Sequence, residues 1–464
     1  MKMIEINNIE RVYLLGIGGI GMSALARYFQ FVGKKVDGYD KTASPLTADL
    51  EKEGIGVHYN SDLLKVPALA EIDSTLIIYT PAVPNDFPEL CYFRENGFHI
   101  YKRSKILGLL TSGKRCIAIA GTHGKTSVTT MTAHLLKQSH VDCFGFMGGI
   151  SKNYGTNLIL PENNSQFIVV EADEFDRSFL QLHPELAVIT WMDADHLDIY
   201  GDHESVIQAF KDFASQIQNG GALLYRKELN IDSQWNKNIR FFSYSITKEA
   251  DFQATNIRII DGAYHFDLKT PFGKISDISL TYPGLMNVEN AVAACAMALL
   301  SGVTTDEIRS ALPKYSGVVR RFDIRFKGEK TIYIDDYAHH PRELEATIKS
   351  VRDLYPGKRL TGIFQPHLFT RTRDFADDFA AALDLLDDAL VMEIYPAREL
   401  PIDGVDSDII LNKMKLQSRV RCKGTDFPAI LDNYQPGILL TLGAGDIDRL
   451  IDPIVSYLIK KEDV

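Results

Sequence analysis

Cysteine is sparse in this sequence of 464 residues, and its few cysteines lie far apart. None belongs to a C-x-x-C pair, which argues against a zinc site or a redox dithiol of that pattern. An odd number of widely spaced cysteines is typical of a reducing compartment. We therefore expect a cytoplasmic protein in which several cysteines are small core residues. The cysteines are Cys91, Cys116, Cys143, Cys295 and Cys422.

Blocks of basic residues and long apolar runs are also absent. The net charge is −11 and no lysine or arginine cluster interrupts it, which argues against a general surface for nucleic acid or anionic membranes. No uncharged apolar run approaches the roughly 20 residues that a membrane helix needs. The first residues, Met1 to Glu5, lack the pattern of a signal peptide. We expect neither a nucleic-acid partner nor membrane insertion.

The composition that remains is that of a globular protein, with 45% apolar and 24% charged residues. A length prior of about 150 residues per domain suggests about three domains. Short apolar runs alternate with helical patterns along the chain, which predicts α/β domains with mostly parallel sheets. In such sheets, binding sites lie at the carboxyl ends of the strands.

The most informative segment is Ala120–Thr126, which reads AGTHGKT. An apolar strand over 116–120 enters it and a threonine-rich helical stretch leaves it, which is the layout of a phosphate-binding loop. Lys125 can then reach terminal phosphates, and the Thr126 hydroxyl can hold magnesium. The spacing is shorter than the usual G-x-x-x-x-G-K-[ST], because Ile119 stands where the first glycine is expected. An ordinary strand-to-helix turn is the alternative.

Two acidic segments follow strands downstream of this loop. Glu171–Glu174 comes directly after the apolar strand 167–170, and a carboxylate at such a position commonly holds magnesium. Glu171 is favoured because it lies nearest the strand end. Asp193–Asp198 also follows a strand, and its aspartates with His196 suit magnesium or manganese. A solvated acidic loop and a helix cap are the alternatives.

Three more polar segments lie in or beside the last third of the chain. Asp335–Pro341 offers carboxylates for ribose hydroxyls and imidazoles for a base or substrate, and a helix cap is a compatible role. Gln365–Arg373 carries arginines that can bind a carboxylate, unless they pair with Asp374 or Asp377. Arg320–Asp323 could supply a cation to bound phosphates or form a surface pair at a hinge.

A complete G-x-G-x-x-G spans Gly16–Gly21, between a strand over 11–15 and a helix. Asp40 closes the following strand, as the acidic residue of a dinucleotide site does. The pattern fits NAD or the diphosphate of another nucleotide, and the residues alone do not separate the two.

With these segments together, the chain resembles the Mur ligases, ATP-dependent amide-forming enzymes of peptidoglycan synthesis. The resemblance covers essentially the whole chain. It rests on the strings GIGGIGM, AGTHGKT, EADEFDRSFL, DADHLDIY, PGLMNVENAVAA, RRFD, DDYAHHP, FQPHLFTRTRD, EIYPARE and LGAGDID. The histidine of GTHGKT and the FQPH–TRTRD string are typical of the branch that adds L-alanine to UDP-N-acetylmuramate.

The resemblance implies an α/β fold of three domains. A Rossmann-like domain over 1–107 would bind the UDP-sugar. A central domain of the phosphate-loop ATPase type over 108–320, with a mostly parallel sheet, would bind ATP. A Rossmann-like domain over 321–464 would bind the amino acid and close over the site.

The resemblance also implies a role for each matching residue. UDP-sugar contacts would be Gly16, Gly18, Gly19, Ile20, Gly21, Asp40 and Arg103. ATP contacts would be Gly121, Thr122, His123, Gly124, Lys125, Thr126, Ser127, Asn287, Asn290, Arg321, Asp336 and His339. Amino-acid contacts would be Tyr337, His367, Arg371 and Arg373. Ligands for Mg²⁺ or Mn²⁺ would be Thr126, Glu171 and His196, and the catalytic residues Lys125, Glu171 and His196.

The family's reaction transfers a phosphoryl group from ATP to the muramoyl carboxylate, and the alanine amine then attacks the acyl phosphate. His196 or a nearby carboxylate is the candidate base. One departure concerns Leu368, which stands where related members often carry arginine after the histidine of FQPH. A carboxylate-binding cation is then missing, and Arg371 and Arg373 are the candidates to replace it.

Three alternatives stay open at this point. A recycling ligase would attach a tripeptide to the same UDP-sugar, and a nicotinamide-dependent oxidoreductase would use Gly16–Gly21 with Asp40. A nucleotide-gated binding module would carry no catalysis. We expect a monomer or a homodimer.

Overall fold

The computed structural model describes residues 6–193, 197–397 and 399–462. The chain divides into two compact units. The first contains residues 1–256, 266–278 and 290–315, and the second contains residues 257–265, 279–289 and 316–464.

The first sheet is parallel throughout and follows the predicted strand–glycine turn–helix start. Its strands are β1 (Arg11–Leu15), β2 (Lys35–Tyr39), β3 (Gly56–His58), β4 (Thr75–Tyr79) and β5 (His99–Lys102). Its helices are α1 (Ile20–Phe31), α2 (Pro45–Lys52), α3 (Pro88–Glu95) and α4 (Arg103–Thr111). The described strands run in the order β3-β2-β1-β4-β5. The order reverses at β1, so the turn Gly16–Gly21 lies at the switch point where such sheets bind ligands.

The second sheet is larger and carries the phosphate loop. Its strands are β6 (Arg115–Ala120), β7 (Phe144–Phe146), β8 (Leu158–Ile159), β9 (Phe167–Ala172), β10 (Leu186–Ile189), β11 (Ala222–Arg226), β12 (Arg240–Ser245), β13 (Phe252–Ile260), β14 (Ala263–Thr270) and β15 (Gly273–Leu280). The helices of this region are α5 (Lys125–Lys137), α6 (Leu197–Tyr200), α7 (His203–Ser215), α8 (Leu285–Leu300) and α9 (Thr305–Ala311).

Strand β6 lies between β9 and β10, within the described order β15-β14-β13-β12-β11-β10-β6-β9-β7-β8. All three strands are parallel, with Ala120 opposite Ala172 on one side and Ile189 on the other. The loop that leaves β6 is therefore flanked by the acidic segment after β9 and by the segment after β10. The register explains why distant sequence segments meet at one edge of the sheet.

The third sheet is parallel except for its first strand, which pairs antiparallel with the second. Its strands are β16 (Asp323–Lys327), β17 (Ile332–Asp336), β18 (Leu360–Phe364), β19 (Asp388–Val391), β20 (Arg419–Arg421) and β21 (Ile438–Leu442). Its helices are α10 (Pro341–Leu354), α11 (Phe369–Asp374), α12 (Ala376–Leu383), α13 (Asp408–Leu411), α14 (Phe427–Tyr434) and α15 (Ile451–Glu462). The described order is β16-β17-β21-β18-β19-β20.

The first two sheets share one apolar core. Val12 and Phe29 of the first sheet's layers belong to the same buried cluster as Val170 and Phe213 of the second. Burial of this much apolar surface is the main stabilising term for both layers. A separate cluster around Tyr333 serves the third sheet.

The α/β class with mostly parallel sheets is confirmed, whereas the boundaries at 107 and 320 stay predictions. All five cysteines are free thiols, and four of them are buried. No helix within the described ranges combines the length and the apolar character that a membrane span requires.

Candidate active site

The loop between β6 and α5 is fixed by its own glycines and by the end of β10. Gly121 and Gly124 have φ of 131° and 82°, in the region that favours glycine. A Cβ on Gly121 would collide with the side chain of Thr190. The Thr122 amide donates to the carbonyl of Trp191 at 3.0 Å. The turn therefore holds a defined shape at the N-terminus of α5, where backbone N–H groups and the helix dipole favour an anion.

His123 is anchored by the segment that follows β10. Its Nε2 lies 3.1 Å from Oδ2 of Asp193. The Asp193 amide donates to Oγ1 of Thr122 at 3.1 Å, and the Thr190 hydroxyl donates to the carbonyl of His123. The sequence analysis included Asp193 only as part of an acidic segment. In the structure Asp193 contacts His123 and Thr122 of the loop.

Lys125 is almost fully surrounded. Its Nζ donates to the carbonyl of Gly121 at 2.7 Å and to Oε1 of Glu174 at 2.9 Å. Burial disfavours its charge, but the carboxylates of Glu174, Asp173 and Glu171 outweigh burial and raise the pKa of Lys125 above its ordinary value. The side chain is therefore a cation at neutral pH. The contact between Glu174 and Lys125 was not predicted, although Glu174 belongs to the acidic segment Glu171–Glu174.

Two of the three predicted metal ligands, Glu171 and Thr126, are in contact. The Thr126 hydroxyl donates to Oε1 of Glu171 at 3.1 Å, and the Gly148 amide donates to Oε2 at 3.1 Å. A Cβ on Gly148 would collide with this carboxylate, so the glycine makes room for it. A hydroxyl and a carboxylate are the hard oxygen ligands that Mg²⁺ prefers.

The third predicted ligand, His196, lies outside the described residues. Across the described chain, no cluster of three or more histidine, cysteine, aspartate or glutamate side chains has the geometry of a metal site. The oxygen pair of Thr126 and Glu171 is thus the part of the predicted metal site that the structure brings together.

Ser127 and Asn290 also lie near the loop. Ser127 is buried in the first turn of α5. Oδ1 of Asn290 lies 3.0 Å from where a Cβ on Gly124 would stand. Asn287, the other predicted asparagine of α8, donates its amide to the carbonyl of Pro283 at 2.6 Å.

The glycine turn after β1 is braced by Asp40. Its Oδ2 accepts from the Gly18 amide at 2.8 Å and its Oδ1 from the Thr42 amide at 3.1 Å. Gly16 has φ of 84°, and a Cβ there would lie 2.6 Å from Cγ2 of Thr80. Asp40 therefore holds the backbone of the glycine turn in place.

Arg103 brings a cation to the same turn. Its Nη1 would lie 2.7 Å from a Cβ on Gly21, and its Nη2 lies 3.8 Å from Oδ2 of Asp173. A side chain at residue 21 would displace this guanidinium from its present position.

A cavity of about 260 Å³ joins these groups. Gly19, Ile20, Gly21 and Arg103 of the predicted sugar site line it, and so do Glu171 and Asp173. The predicted sugar-binding turn and the predicted metal-binding carboxylate therefore face one space. Gly16, Gly18 and Asp40 shape the turn behind it.

In the second unit, two arginines lie over one tyrosine ring. The guanidinium carbons of Arg320 and Arg321 are 5.3 Å and 5.0 Å from the ring centroid of Tyr337. Arg320 donates to the buried Asp335 at 3.1 Å and to the Gly443 carbonyl at 2.8 Å. Arg320 is thus a structural clamp, and Arg321 stays the predicted ligand contact.

Asp336 is the last residue of β17 and lies in the strand rather than after it. Its Oδ1 accepts from the Ala338 amide and its Oδ2 from the Phe322 amide, both at 2.7 Å. Burial raises the pKa of Asp336 to about 6, and Arg321 with the two amides only partly offsets it. The predicted adenosine contact therefore also fixes the backbone beside Arg321 and beside Tyr337.

A row of rings continues from Tyr337. His339 lies 5.3 Å from Tyr337 and 5.9 Å from His367, and His367 stacks on Tyr395 at 5.7 Å. Burial lowers the pKa of His339 and nearby Arg371 and Arg321 reinforce it, against an opposing effect of Glu343. Tyr395 was not predicted, although the string EIYPARE contains it.

The two predicted carboxylate-binding arginines differ. Arg371 is buried, whereas Arg373 is half-exposed and its Nε donates to Asp374 at 2.7 Å. The alternative role of a surface ion pair therefore describes Arg373. Leu368 has a φ of 71°, a strained value for a leucine, and its amide donates to the carbonyl of Tyr395 at 3.0 Å.

The sequence matches three family models in succession. They are the catalytic domain of the Mur ligase family over residues 11–115, the Mur ligase middle domain over 119–298, and the glutamate ligase domain of Mur ligases over 320–443. This chain belongs to the Mur ligase family. The first and third sheets each fall within one matched region, and the second sheet lies in the middle-domain region except for the first residues of β6.

Individual Mur ligases are similar over their full length. The UDP-N-acetylmuramate–L-alanine ligases of Parabacteroides distasonis and Phocaeicola vulgatus are each 49% identical to this chain over 99% of it, and over 99% and 100% of their own lengths. The crystal structure of UDP-N-acetylmuramate-alanine ligase MurC from Thermotoga maritima matches with a TM-score of 0.82 at 26% identity, over 97% of this chain and 99% of that one.

A murein peptide ligase from Psychrobacter arcticus has the same fold, with a TM-score of 0.69 at 21% identity over 97% of this chain and 98% of its own. At that identity the likeness concerns the fold alone.

Proposed function

We propose that this protein is an ATP-dependent ligase that joins L-alanine to the carboxylate of UDP-N-acetylmuramate, giving ADP and phosphate, in the synthesis of peptidoglycan precursors. Its Mur ligase relatives at 49% identity carry the name of that reaction. The proposed setting is the cytoplasm, as the cysteine pattern suggests, and the proposed state is a monomer or a homodimer.

One observation carries the proposal. Gly21 and Arg103 face the same cavity as Glu171, which in turn contacts Thr126 of the phosphate loop. A reaction that transfers phosphate from one nucleotide to the carboxylate of another nucleotide-sugar needs both ligands at one place. An oxidoreductase would leave the phosphate loop without a role.

ATP is assigned to the loop Gly121–Ser127. Its backbone N–H groups and the N-terminus of α5 would cradle the phosphates, and Lys125 would neutralise charge as the phosphoryl group moves. As the likeness to the Mur ligases implies, the proposed contacts to the rest of the nucleotide are Asn287, Asn290, Arg321, Asp336 and His339.

A divalent cation fits beside the loop, because Thr126 and Glu171 offer adjacent oxygen ligands. Mg²⁺ or Mn²⁺ held there, with His196 as a further proposed ligand, would neutralise negative charge on the phosphates. The glycine at 148 keeps the space around Glu171 open.

The UDP-sugar is assigned to Gly16, Gly18, Gly19, Ile20, Gly21, Asp40 and Arg103. The turn would hold the diphosphate by its amides, with Asp40 fixing the backbone and Arg103 adding a cation. L-alanine is assigned to Tyr337, His367 and Arg371, with Arg373 as the weaker candidate because Asp374 already pairs with it.

The proposed chemistry activates a carboxylate that cannot by itself form an amide. A carboxylate oxygen attacks the terminal phosphorus of ATP and ADP leaves, which gives an acyl phosphate. The neutral alanine amine then attacks the acyl carbon, and the tetrahedral intermediate expels phosphate, which keeps the former carboxylate oxygen. His196 or a nearby carboxylate is the proposed base for the amine proton.

Phosphate release tests this function. The protein is assayed with ATP, magnesium and UDP-N-acetylmuramate, and with L-alanine, serine, glycine or the L-alanyl-γ-D-glutamyl-diaminopimelate tripeptide as acceptor. We expect the highest kcat/KM with L-alanine. Faster release with the tripeptide would support the recycling ligase instead, and tight NADH binding without phosphate release would support the oxidoreductase.

A further inference from the structure

The ammonium group of Lys125 is held by groups of the protein itself. Its ammonium carries three protons. The carbonyl of Gly121 lies 2.7 Å from Nζ, and the two carboxylate oxygens of Glu174 each lie 2.9 Å away. A phosphate oxygen that contacts this nitrogen must therefore compete with the Glu174 carboxylate for the cation.

Glu174 is held firmly in this position. Its side chain is 2% exposed. Its own carbonyl accepts from the Tyr200 hydroxyl at 2.6 Å and from the Arg177 amide at 2.9 Å. The carboxylate projects from a braced turn just after β9 and cannot reach bulk water without moving that turn.

Glu174 is distinct from the carboxylate proposed for the metal. Glu171 faces the Thr126 hydroxyl and the Gly148 amide, whereas Glu174 faces Lys125. A buried lysine that lost the carboxylate in direct contact with it would keep a poorly compensated charge, which is strongly unfavourable. A bound polyanion would compensate that charge.

We propose that Glu174 is the resident counter-ion of Lys125, and that the terminal phosphates of the nucleotide take over this cation when they bind. The inference rests on the proposed function, which makes the loop an ATP site. Glu174 then has two effects. It stabilises the loop by itself, and it lowers the affinity for ATP because the phosphates must compete with it.

The variant Glu174→Gln separates these effects. It keeps the shape of the side chain and removes its charge. We expect a lower melting temperature without nucleotide, a larger upward shift on addition of Mg-ATP than the wild type shows, and about tenfold tighter ATP binding by titration calorimetry. Neither measurement requires turnover, since the UDP-sugar and alanine are omitted.

A matched control is Glu185→Gln. Glu185 pairs with Arg115 at 2.7 Å beside the N-terminal ends of β6 and β10, at the sheet edge away from the loop. The variant therefore makes the same charge change in the same sheet. We expect its response to ATP to equal that of the wild type. If Glu174 had a purely structural role, Glu174→Gln would have equally lower melting temperatures without and with Mg-ATP, and the ATP-induced shift would equal that of the wild type.

Glu174→Asp keeps the inference testable if Glu174→Gln does not fold. The shorter side chain draws the carboxylate away from Nζ, and we expect ATP binding between those of the wild type and Glu174→Gln. ATP affinity equal to or weaker than that of the wild type, in whichever variant folds, would overturn the inference. A wild-type protein that ATP does not stabilise would instead contradict the proposed function.

Discussion

The phosphate-loop region and the aromatic row of the second unit use their charged residues differently. At the loop, the lysine proposed to bind phosphates is in direct contact with a carboxylate of the protein, Glu174. In the second unit, several charged groups first hold the backbone, as Asp336 does with two amides. A motif can therefore mark residues that bind a ligand or residues that place the binding residues.

The largest effect is expected at the loop. Lys125→Ala should lower phosphate release about 1,000-fold, because it removes the cation that neutralises the transferred phosphoryl group. UDP-N-acetylmuramate binding, measured by calorimetry, should stay within about twofold, since Arg103 and the glycine turn are untouched. Lys211→Ala, on the exposed face of α7, is the control. Activity of Lys125→Ala within a few-fold of the parent would remove the role given to this lysine.

In the second unit, the protonation of Asp336 should make the free energy of unfolding depend on pH. Its pKa is raised from 3.8 to about 6, so its contribution to stability is fully present below pH 3.8 and is lost as the pH rises through 6. The difference in unfolding free energy between the wild type and Asp336→Asn should therefore fall by about 3 kcal/mol over that range. Urea unfolding at pH 4, 5, 6 and 7 measures it. If the difference in unfolding free energy did not change with pH, burial would not raise the pKa of this carboxyl group.

Arg103 should separate the two nucleotides. Arg103→Ala removes a charge-assisted contact at the glycine turn, and we expect the KM for UDP-N-acetylmuramate to rise about thirtyfold. ATP affinity should not change. Lys105→Ala, on the exposed face of the same helix, serves as the control. An equal loss for both nucleotides would show a general disruption of the first two sheets.

The smallest contrast lies between two neighbouring arginines. Arg371→Ala should raise the KM for L-alanine about tenfold, whereas Arg373→Ala should change it less than about threefold. The reason is that Asp374 already engages Arg373 at the surface. Steady-state kinetics with varied alanine decide between them. The reverse order would assign the carboxylate to Arg373.

The parts of the fold and of the candidate site that are encoded by short continuous segments could be predicted from the sequence. The glycine turn, the loop 120–126 and Glu171 each follow an apolar strand, and parallel strands bring such ends together. The pairing of Lys125 with Glu174, which lies 49 positions further along the chain, depends on the order β10-β6-β9 and is invisible without it. Asp336 was predicted only as a ligand contact. Its hydrogen bonds to two backbone amides could not be predicted, because the sequence of a strand end does not show which groups its aspartate contacts.

Isotope transfer tests the central claim most directly. UDP-N-acetylmuramate labelled with ¹⁸O in both carboxylate oxygens is converted with ATP, magnesium and L-alanine, and the phosphate is analysed by mass spectrometry. Activation through an acyl phosphate predicts one ¹⁸O in each released phosphate, with the other retained in the amide. Phosphate free of ¹⁸O would contradict the account, because ATP would then have been hydrolysed without activating the carboxylate.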